Sequence, residues 1–252
     1  MMAKTKETCL LIHGFTGLPS ELEPLAQALR NTGYETILPR LAGHDGTFTG
    51  LRGVTAGDWI ESALEPLRFA VSQGPVHLVG FSMGALIATI LAGSHPVSSV
   101  TMLAPAIHYA RPSLLLRQAE VFVKGRLQKE SQEAWYLQQR PSGFLLTPLR
   151  SLEQFRLTVK LAKQHLPLVT VPTCVIQGDR DEIIDPKSAD FVYEQVQSEH
   201  RELHHLPNSR HHVCLDVESD RVNEIVLQFL ASAPVRRQTL THGGASVLPR
   251  HK

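Results

Sequence analysis

The chain has 252 residues, 42% of them apolar, which is enough for one well-buried α/β domain. Its 25 basic and 24 acidic side chains give a net charge of +1, which excludes the broad basic footprint that nucleic-acid binding requires. Three widely spaced cysteines, Cys9, Cys174 and Cys214, form no CxxC pair, which excludes a disulfide framework and a zinc knuckle and leaves buried thiols as the expectation.

The N-terminus passes from polar residues into a short apolar run that ends at His13-Gly14. That run is too short for a membrane span and carries no signal-peptide cleavage pattern, so a cytoplasmic location is expected. Six short β-branched or aliphatic runs follow one another along the chain: Thr8 to Ile12, Glu35 to Leu38, Val76 to Phe81, Ser99 to Leu103, Thr173 to Gln177 and Arg201 to Leu206. Each is followed by a longer segment with helical spacing, which predicts an α/β fold with a mainly parallel six-stranded sheet flanked by helices. Between the strands, Ser20 to Glu23 and Thr55 to Asp58 read as capping boxes, and Asp185-Pro186 as an N-cap followed by proline.

From about Ala106 to Leu168 the alternation stops, leaving helical patches such as Leu114 to Lys124 and Leu152 to Lys163. A structureless loop of that length is implausible inside a compact domain, so residues 106–168 are expected to be a helical insertion after the fourth strand. Within it, residues 107–166 hold ten Lys/Arg against four Asp/Glu. The division expected is therefore 1–105 and 169–232 as the core, 106–168 as a cap, and 233–252 as a disordered tail.

The strongest local signal is Gly80-Phe81-Ser82-Met83-Gly84, a GxSxG set between an apolar strand and a helix-forming run. The bare pattern arises by chance in about one chain of this length in ten, so its weight comes from the placement. A tight strand-to-helix turn leaves no room for side chains at the flanking glycines and lifts the serine hydroxyl above the sheet. A serine hydroxyl is a poor nucleophile until a base takes its proton, so a histidine and an acid are needed later in the chain. Asp179, Asp181, Glu182 and Asp185 all follow the fifth strand, where functional groups of such sheets gather. Asp185 is better explained as an N-cap, and the other three are not ranked by spacing. His211 and His212 stand in the loop after the sixth strand and are not separated by order alone. His204 and His205 lie in that strand, and His95 and His165 close helices, which suits structural roles. His200 and His204 have the i, i+4 spacing of a helical metal site but fall across a strand start, so no metal or cofactor is expected. An oxyanion hole would take one N–H from Phe15, in His13-Gly14-Phe15-Thr16-Gly17, and one from Met83 at the start of its helix.

With these residues in place, the sequence resembles the bacterial carboxylesterase and monoacylglycerol lipase group of the α/β-hydrolase superfamily over about Cys9 to Leu230. The likeness rests on Leu11 to Gly17, Gly43-His44, Asp58-Trp59, the turn around Ser82, Gly178 to Ile184, and Ser209 to Asp216. It implies that the acid is the fourth residue of a G-x-x-D pattern, which selects Asp181. It implies also that the histidine stands five residues before the aspartate of a V-x-L-D-like stretch, so that Asp216 points to His211. The insertion at 106–168 matches the position of the family's lid, and the early first strand resembles minimal members that lack two outer N-terminal strands. Relatives usually carry glycine before the histidine, where this chain has Arg210. The activity implied is cleavage of carboxylic esters, with short to medium acyl chains or monoacylglycerols as substrates, Ser82 as nucleophile and no cofactor; the excess of basic residues in the cap adds an expectation of weak contact with a lipid interface. Thioester, amide and carbon–carbon bond cleavage use the same machinery, and a non-catalytic binding protein on the same fold is a further alternative.

Overall fold

The computed structural model describes residues 7–47, 49–109 and 149–233. Six strands form one sheet, β1 (Thr8–Ile12), β2 (Glu35–Ile37), β3 (Val76–Phe81), β4 (Ser99–Leu103), β5 (Thr173–Gly178) and β6 (Arg201–Leu206). All are parallel, in the order β2-β1-β3-β4-β5-β6. The expected strands are all present, β2 ending one residue early and β5 running one residue further.

Because both faces of the central strands are covered, β1, β3, β4 and β5 are buried throughout, and alternation sorts their side chains between two cores. Leu10 and Ile12 of β1, and Val76 and Leu78 of β3, face one core; Cys9 and Leu11, and Val79 and Phe81, face the other. The first core is closed by α2 (Ala56–Gln73), α3 (Met83–Ala92), α4 (Leu149–His165) and α5 (Lys187–Gln195); the second by α1 (Glu23–Asn31) and α6 (Ser219–Ser232). Every residue of α3 is buried, as its almost wholly apolar sequence MGALIATILA requires, and the Thr89 hydroxyl donates to the Ala85 carbonyl at 2.8 Å.

The caps divide. Thr55 and Asp58 form the reciprocal box, with Asp58 N–H to Thr55 Oγ1 at 3.2 Å and Thr55 N–H to Asp58 Oδ2 at 2.8 Å. Asp185 Oδ1 accepts the Lys187 N–H at 3.1 Å at the start of α5. The Ser20 box is absent: Pro19 starts a 3-10 turn (Pro19–Leu22) before α1, which places Ser20 inside that turn, and Glu23 reaches Arg30 instead.

Of the interval 106–168, the patch 152–163 forms the middle of α4, whereas 114–124 lies outside the described residues, as does the tail from 234. Phe155, Val159 and Ala162 of α4 pack into the first core, and its N-terminal half is tied to the turn before α2 by Ser151 Oγ to Leu51 O (3.1 Å) and to the start of α2 by Ala56 N–H to Gln154 Oε1 (3.0 Å). Among the described residues no helix is long and apolar enough to cross a membrane.

The sheet's order sets the site. From β1 the chain goes to β2 on one side and then to β3 on the other, so the loops after β1 and β3 open a crevice at the C-terminal ends of the strands.

Candidate active site

Ser82 sits in the turn between β3 and α3 with φ 54° and ψ −112°, a conformation that costs a non-glycine residue of order 1–3 kcal/mol. The turn is held by packing on both sides: a Cβ on Gly80 would run into the Gly84 carbonyl, and one on Gly84 into the Ile12 carbonyl of β1. Ser82 N–H donates to Leu103 O at 2.9 Å, which fixes the turn to the end of β4. Among the described residues only Thr16, Ser82 and Ala104 combine a side chain with positive φ, and all three stand in loops at the C-terminal ends of β1, β3 and β4.

The three residues named for catalysis meet. His211 Nε2 lies 3.0 Å from Ser82 Oγ, and His211 Nδ1 lies 2.8 Å from Asp181 Oδ2. Asp181 is fully buried, yet its carboxylate has partners at both oxygens: Oδ1 accepts the Ile183 and Ile184 N–H groups at 2.8 Å each, and Oδ2 also accepts Gln177 Nε2 at 2.9 Å. A buried carboxylate can only accept, so His211 carries its proton on Nδ1 and offers Nε2 to the serine hydroxyl. The arrangement can draw a proton off Ser82 Oγ and keep the resulting imidazolium beside a fixed negative charge.

The competing residues are placed elsewhere. Asp179 Oδ1 is 2.7 Å from His205 Nδ1, and Asp185 caps α5. Glu182 is buried beside Asp181 in the chain, but the carboxylate that meets His211 Nδ1 is that of Asp181. His212 Nε2 points to Glu21 Oε1 at 3.5 Å. His204 and His205 lie in β6, and His165 ends α4, as the sequence predicts. The glycine of the G-x-x-D pattern has a structural reason: a Cβ on Gly178 would clash with the Ser209 and Arg210 carbonyls, so its absence lets the histidine loop close on β5. Asp216 Oδ2 accepts the Arg210 N–H at 2.6 Å, which ties that loop in register. Arg210 has negative φ, so the loop does not need glycine at this position.

Phe15 and Met83 belong to the two turns that meet at Ser82. Gly14 is close enough to Ser82 that a Cβ on it would lie 3.3 Å from Ser82 Cβ, and Met83 opens α3, where the N–H has no intrahelical acceptor. The Phe15 ring packs with Trp59 (5.5 Å between centroids), Phe155 (5.2 Å) and His44 (6.3 Å), and Phe155 in turn meets Tyr109 (4.9 Å). Sequence reasoning missed this aromatic group, as well as Gln177 and Glu21, whose Oε2 accepts the Gly14 N–H at 3.4 Å.

His13 underlies the same loop. Its Nδ1 donates to Gly14 O at 2.9 Å and its Nε2 accepts the Leu41 N–H at 3.1 Å, so only the neutral ring satisfies both. Burial, with His44 adding, lowers its pKa to about 4. The unfolded chain then binds the proton more readily, so stability is full above the ordinary histidine value of 6.5 and is lost as pH falls from there towards 4. This residue alone should cost about 2 kcal/mol between pH 6.5 and 5, and buried His44 and His77, also lowered by burial, act in the same direction. Urea unfolding at the two pH values measures it; equal midpoints would contradict it.

Two other groups bear on nucleophilic chemistry. Burial raises all three thiols, Cys214 to about 12 and Cys9 and Cys174 further, which leaves them protonated at neutral pH. Glu7, His77 and Ser99 form a second acid–histidine–serine chain at the opposite end of the sheet (3.2 and 2.8 Å), but Ser99 is fully buried and out of reach of any substrate.

Comparison with known proteins identifies the family. Residues 3–218 match the Hydrolase_4 family, serine aminopeptidase, S33. A thermostable monoacylglycerol lipase from Bacillus sp. (strain H-257) is 28% identical over 228 residues, covering 88% of this chain and 89% of that one. A carboxylesterase from Bacillus subtilis (strain 168) is 23% identical over 223 residues, covering 88% and 91%. Among solved structures, that of a metagenome-derived lipolytic enzyme superposes with a TM-score of 0.74 at 23% identity, covering 90% and 94%. A six-stranded parallel sheet of this order and a family match across most of the chain lead to one assignment: the protein belongs to the Hydrolase_4 family of α/β-hydrolases.

Proposed function

We propose that this protein is a serine esterase that cleaves carboxylic esters of short to medium acyl chains, monoacylglycerols included, through an acyl-enzyme. The observation that carries the reading is the unbroken relay from Ser82 through His211 to Asp181, at 3.0 and 2.8 Å. Ser82 Oγ attacks the ester carbonyl carbon while its proton passes to His211 Nε2. The carbonyl oxygen takes up negative charge facing the Phe15 and Met83 N–H groups. Collapse breaks the bond to the alcohol, which leaves with the proton from His211, and Ser82 keeps the acyl group. Water then attacks that ester with His211 again as base, releasing the acid and restoring the hydroxyl.

Support for an apolar acyl site comes from the Phe15, Tyr109 and Phe155 rings beside the oxyanion loop. The apolar residues Leu114 to Leu116, Val121 to Val123, Trp135, Leu137 and Phe144 to Leu146 extend that expectation to a cap over the crevice; they lie outside the described residues. The relatives named monoacylglycerol lipase and carboxylesterase point the same way. The S33 family name favours one competing reaction, amide cleavage, which needs the same groups.

Specificity constants for p-nitrophenyl esters from acetate to palmitate test the proposal. They should rise by up to about fourfold per methylene, the worth of ~0.8 kcal/mol, until the pocket is full, then fall. A flat profile, a maximum at the longest chain, or faster turnover of the matched amides than of the esters would overturn it. A steep loss of rate with added salt on monoacylglycerol in anionic vesicles, but not on soluble esters, would mark contact of the basic cap with a lipid interface.

A further inference from the structure

The spacing of His200 and His204 has a different meaning on a strand than on a helix. Along extended chain, every second side chain shares a face, so Glu202 and His204 point the same way from the outer strand β6, and His200 stands in the bend just before it. Their contacts agree: Glu202 Oε2 lies 2.9 Å from His204 Nε2, and Glu202 Oε1 lies 3.6 Å from His200 Nε2. On the neighbouring strand, Cys174 stands directly opposite Glu202 in the parallel register, on the same face. The sulfur of Cys174, a carboxylate oxygen of Glu202 and a ring nitrogen of His204 all lie within 4.8 Å of one another.

We propose that Cys174, Glu202 and His204 form a binding site for a zinc-class divalent cation, with a fourth position left to solvent. The donor set decides the class of ion. A sulfur, an imidazole nitrogen and one carboxylate oxygen suit a borderline-soft ion that accepts four ligands, whereas magnesium and calcium call for oxygen donors in greater number. Charge also fits, since a thiolate and a carboxylate neutralise a dication, and the thiol proton leaves to solvent on binding. Tetrahedral bonds of about 2.0–2.3 Å bring ligand atoms to within about 4 Å of one another, so the site must tighten slightly. The side chains that would move are the ones free to do so: His204 and Glu202 are 30% and 33% exposed at the sheet edge, while Cys174 is fixed in the core. Their exposure also gives an ion its route in. His200 completes the arrangement from outside: its Nε2 has no hydrogen-bond partner among the described residues and faces the second oxygen of Glu202, where it can hold the carboxylate in place.

The site joins β5 to β6, the two strands that lead to the Asp181 and His211 loops. It stands near the opposite end of those strands from the crevice, about 13 Å from Gly178 along β5, so an ion there should be felt in stability more than in turnover.

The full chain, freed of metal with a chelator, is titrated with Co2+ and then Zn2+. A near-ultraviolet thiolate-to-cobalt charge-transfer band should appear and be bleached by Zn2+. It should be lost in Cys174→Ser, and His204→Ala should weaken cobalt binding by about tenfold or more. His204 is at a partly exposed position, so this variant remains informative if Cys174→Ser fails to fold. Zn2+ at a hundredfold excess over its dissociation constant should raise the melting temperature by about 5 °C or more, and Mg2+ should not. Absence of the band in the wild-type protein, a band and affinity unchanged in His204→Ala, or a melting temperature indifferent to Zn2+ would overturn the proposal and leave the group as an ion-paired edge without metal.

Discussion

Replacing Ser82 with alanine should lower ester hydrolysis by about three orders of magnitude or more while the protein stays folded. The hydroxyl is the only atom lost, it is not part of either core, and its contact is with His211. Removing it leaves the oxyanion loop, the histidine and the crevice in place, so what remains should be the modest catalysis of binding and oxyanion stabilisation alone. Relief of the positive φ does not follow, because alanine meets the same backbone constraint. Fluorophosphonate labelling gives a second reading of the same position: wild-type protein should react and Ser82→Ala should not. A purified variant with a native melting curve and more than a tenth of wild-type activity would remove Ser82 from the mechanism, and labelling undiminished in the variant would do the same.

The adjacent histidines should part by a similar factor. His211 touches both Ser82 and Asp181, while His212 turns to Glu21. His211→Ala should cost about three or more orders of magnitude in kcat/KM, and His212→Ala less than about tenfold. Only a neutral imidazole can take the serine proton, so the wild-type rate should fall on acidification, and a flat profile from about pH 5 to 9 would argue against a histidine base. Acid also weakens the fold through His13, so circular dichroism recorded at each pH is needed to separate the two effects. A larger defect in His212→Ala than in His211→Ala would reverse the assignment.

Much of this was open to reading from the chain because the signals are local. β1, β3 and β4 have their predicted ends, since strands buried on both faces carry largely apolar runs between turn residues, and the edge strand β6 keeps its predicted ends although it is polar and partly exposed. GxSxG carries its own structural demand, which the contacts at Gly80 and Gly84 display. The acid was harder: spacing leaves Asp179, Asp181 and Glu182 equal, and they part in space because Asp179 is engaged by His205 on the neighbouring strand. Gln177 was invisible as a partner of Asp181, because inside a strand it reads as one more β residue. Phe155 stacks on Phe15 from 140 positions away, and no window along the sequence contains both. Ser20 failed as a cap because Pro19 began a turn one residue sooner. In each miss the deciding contact joins segments distant in sequence or depends on one backbone angle.

The contact between Gly84 and the Ile12 carbonyl has a consequence for how such a protein can change over generations. At that contact the nucleophile's helix and the strand that leads into the oxyanion loop are spaced by main chain resting on main chain. The rings of Phe15, Tyr109 and Phe155 stand outside that contact. Mutations among them can reshape what the crevice accepts while the spacing of the reacting groups stays as it is. Selection can therefore act on substrate choice and on bond cleavage as separate traits, and a descendant that takes a new ester inherits the means of cutting it.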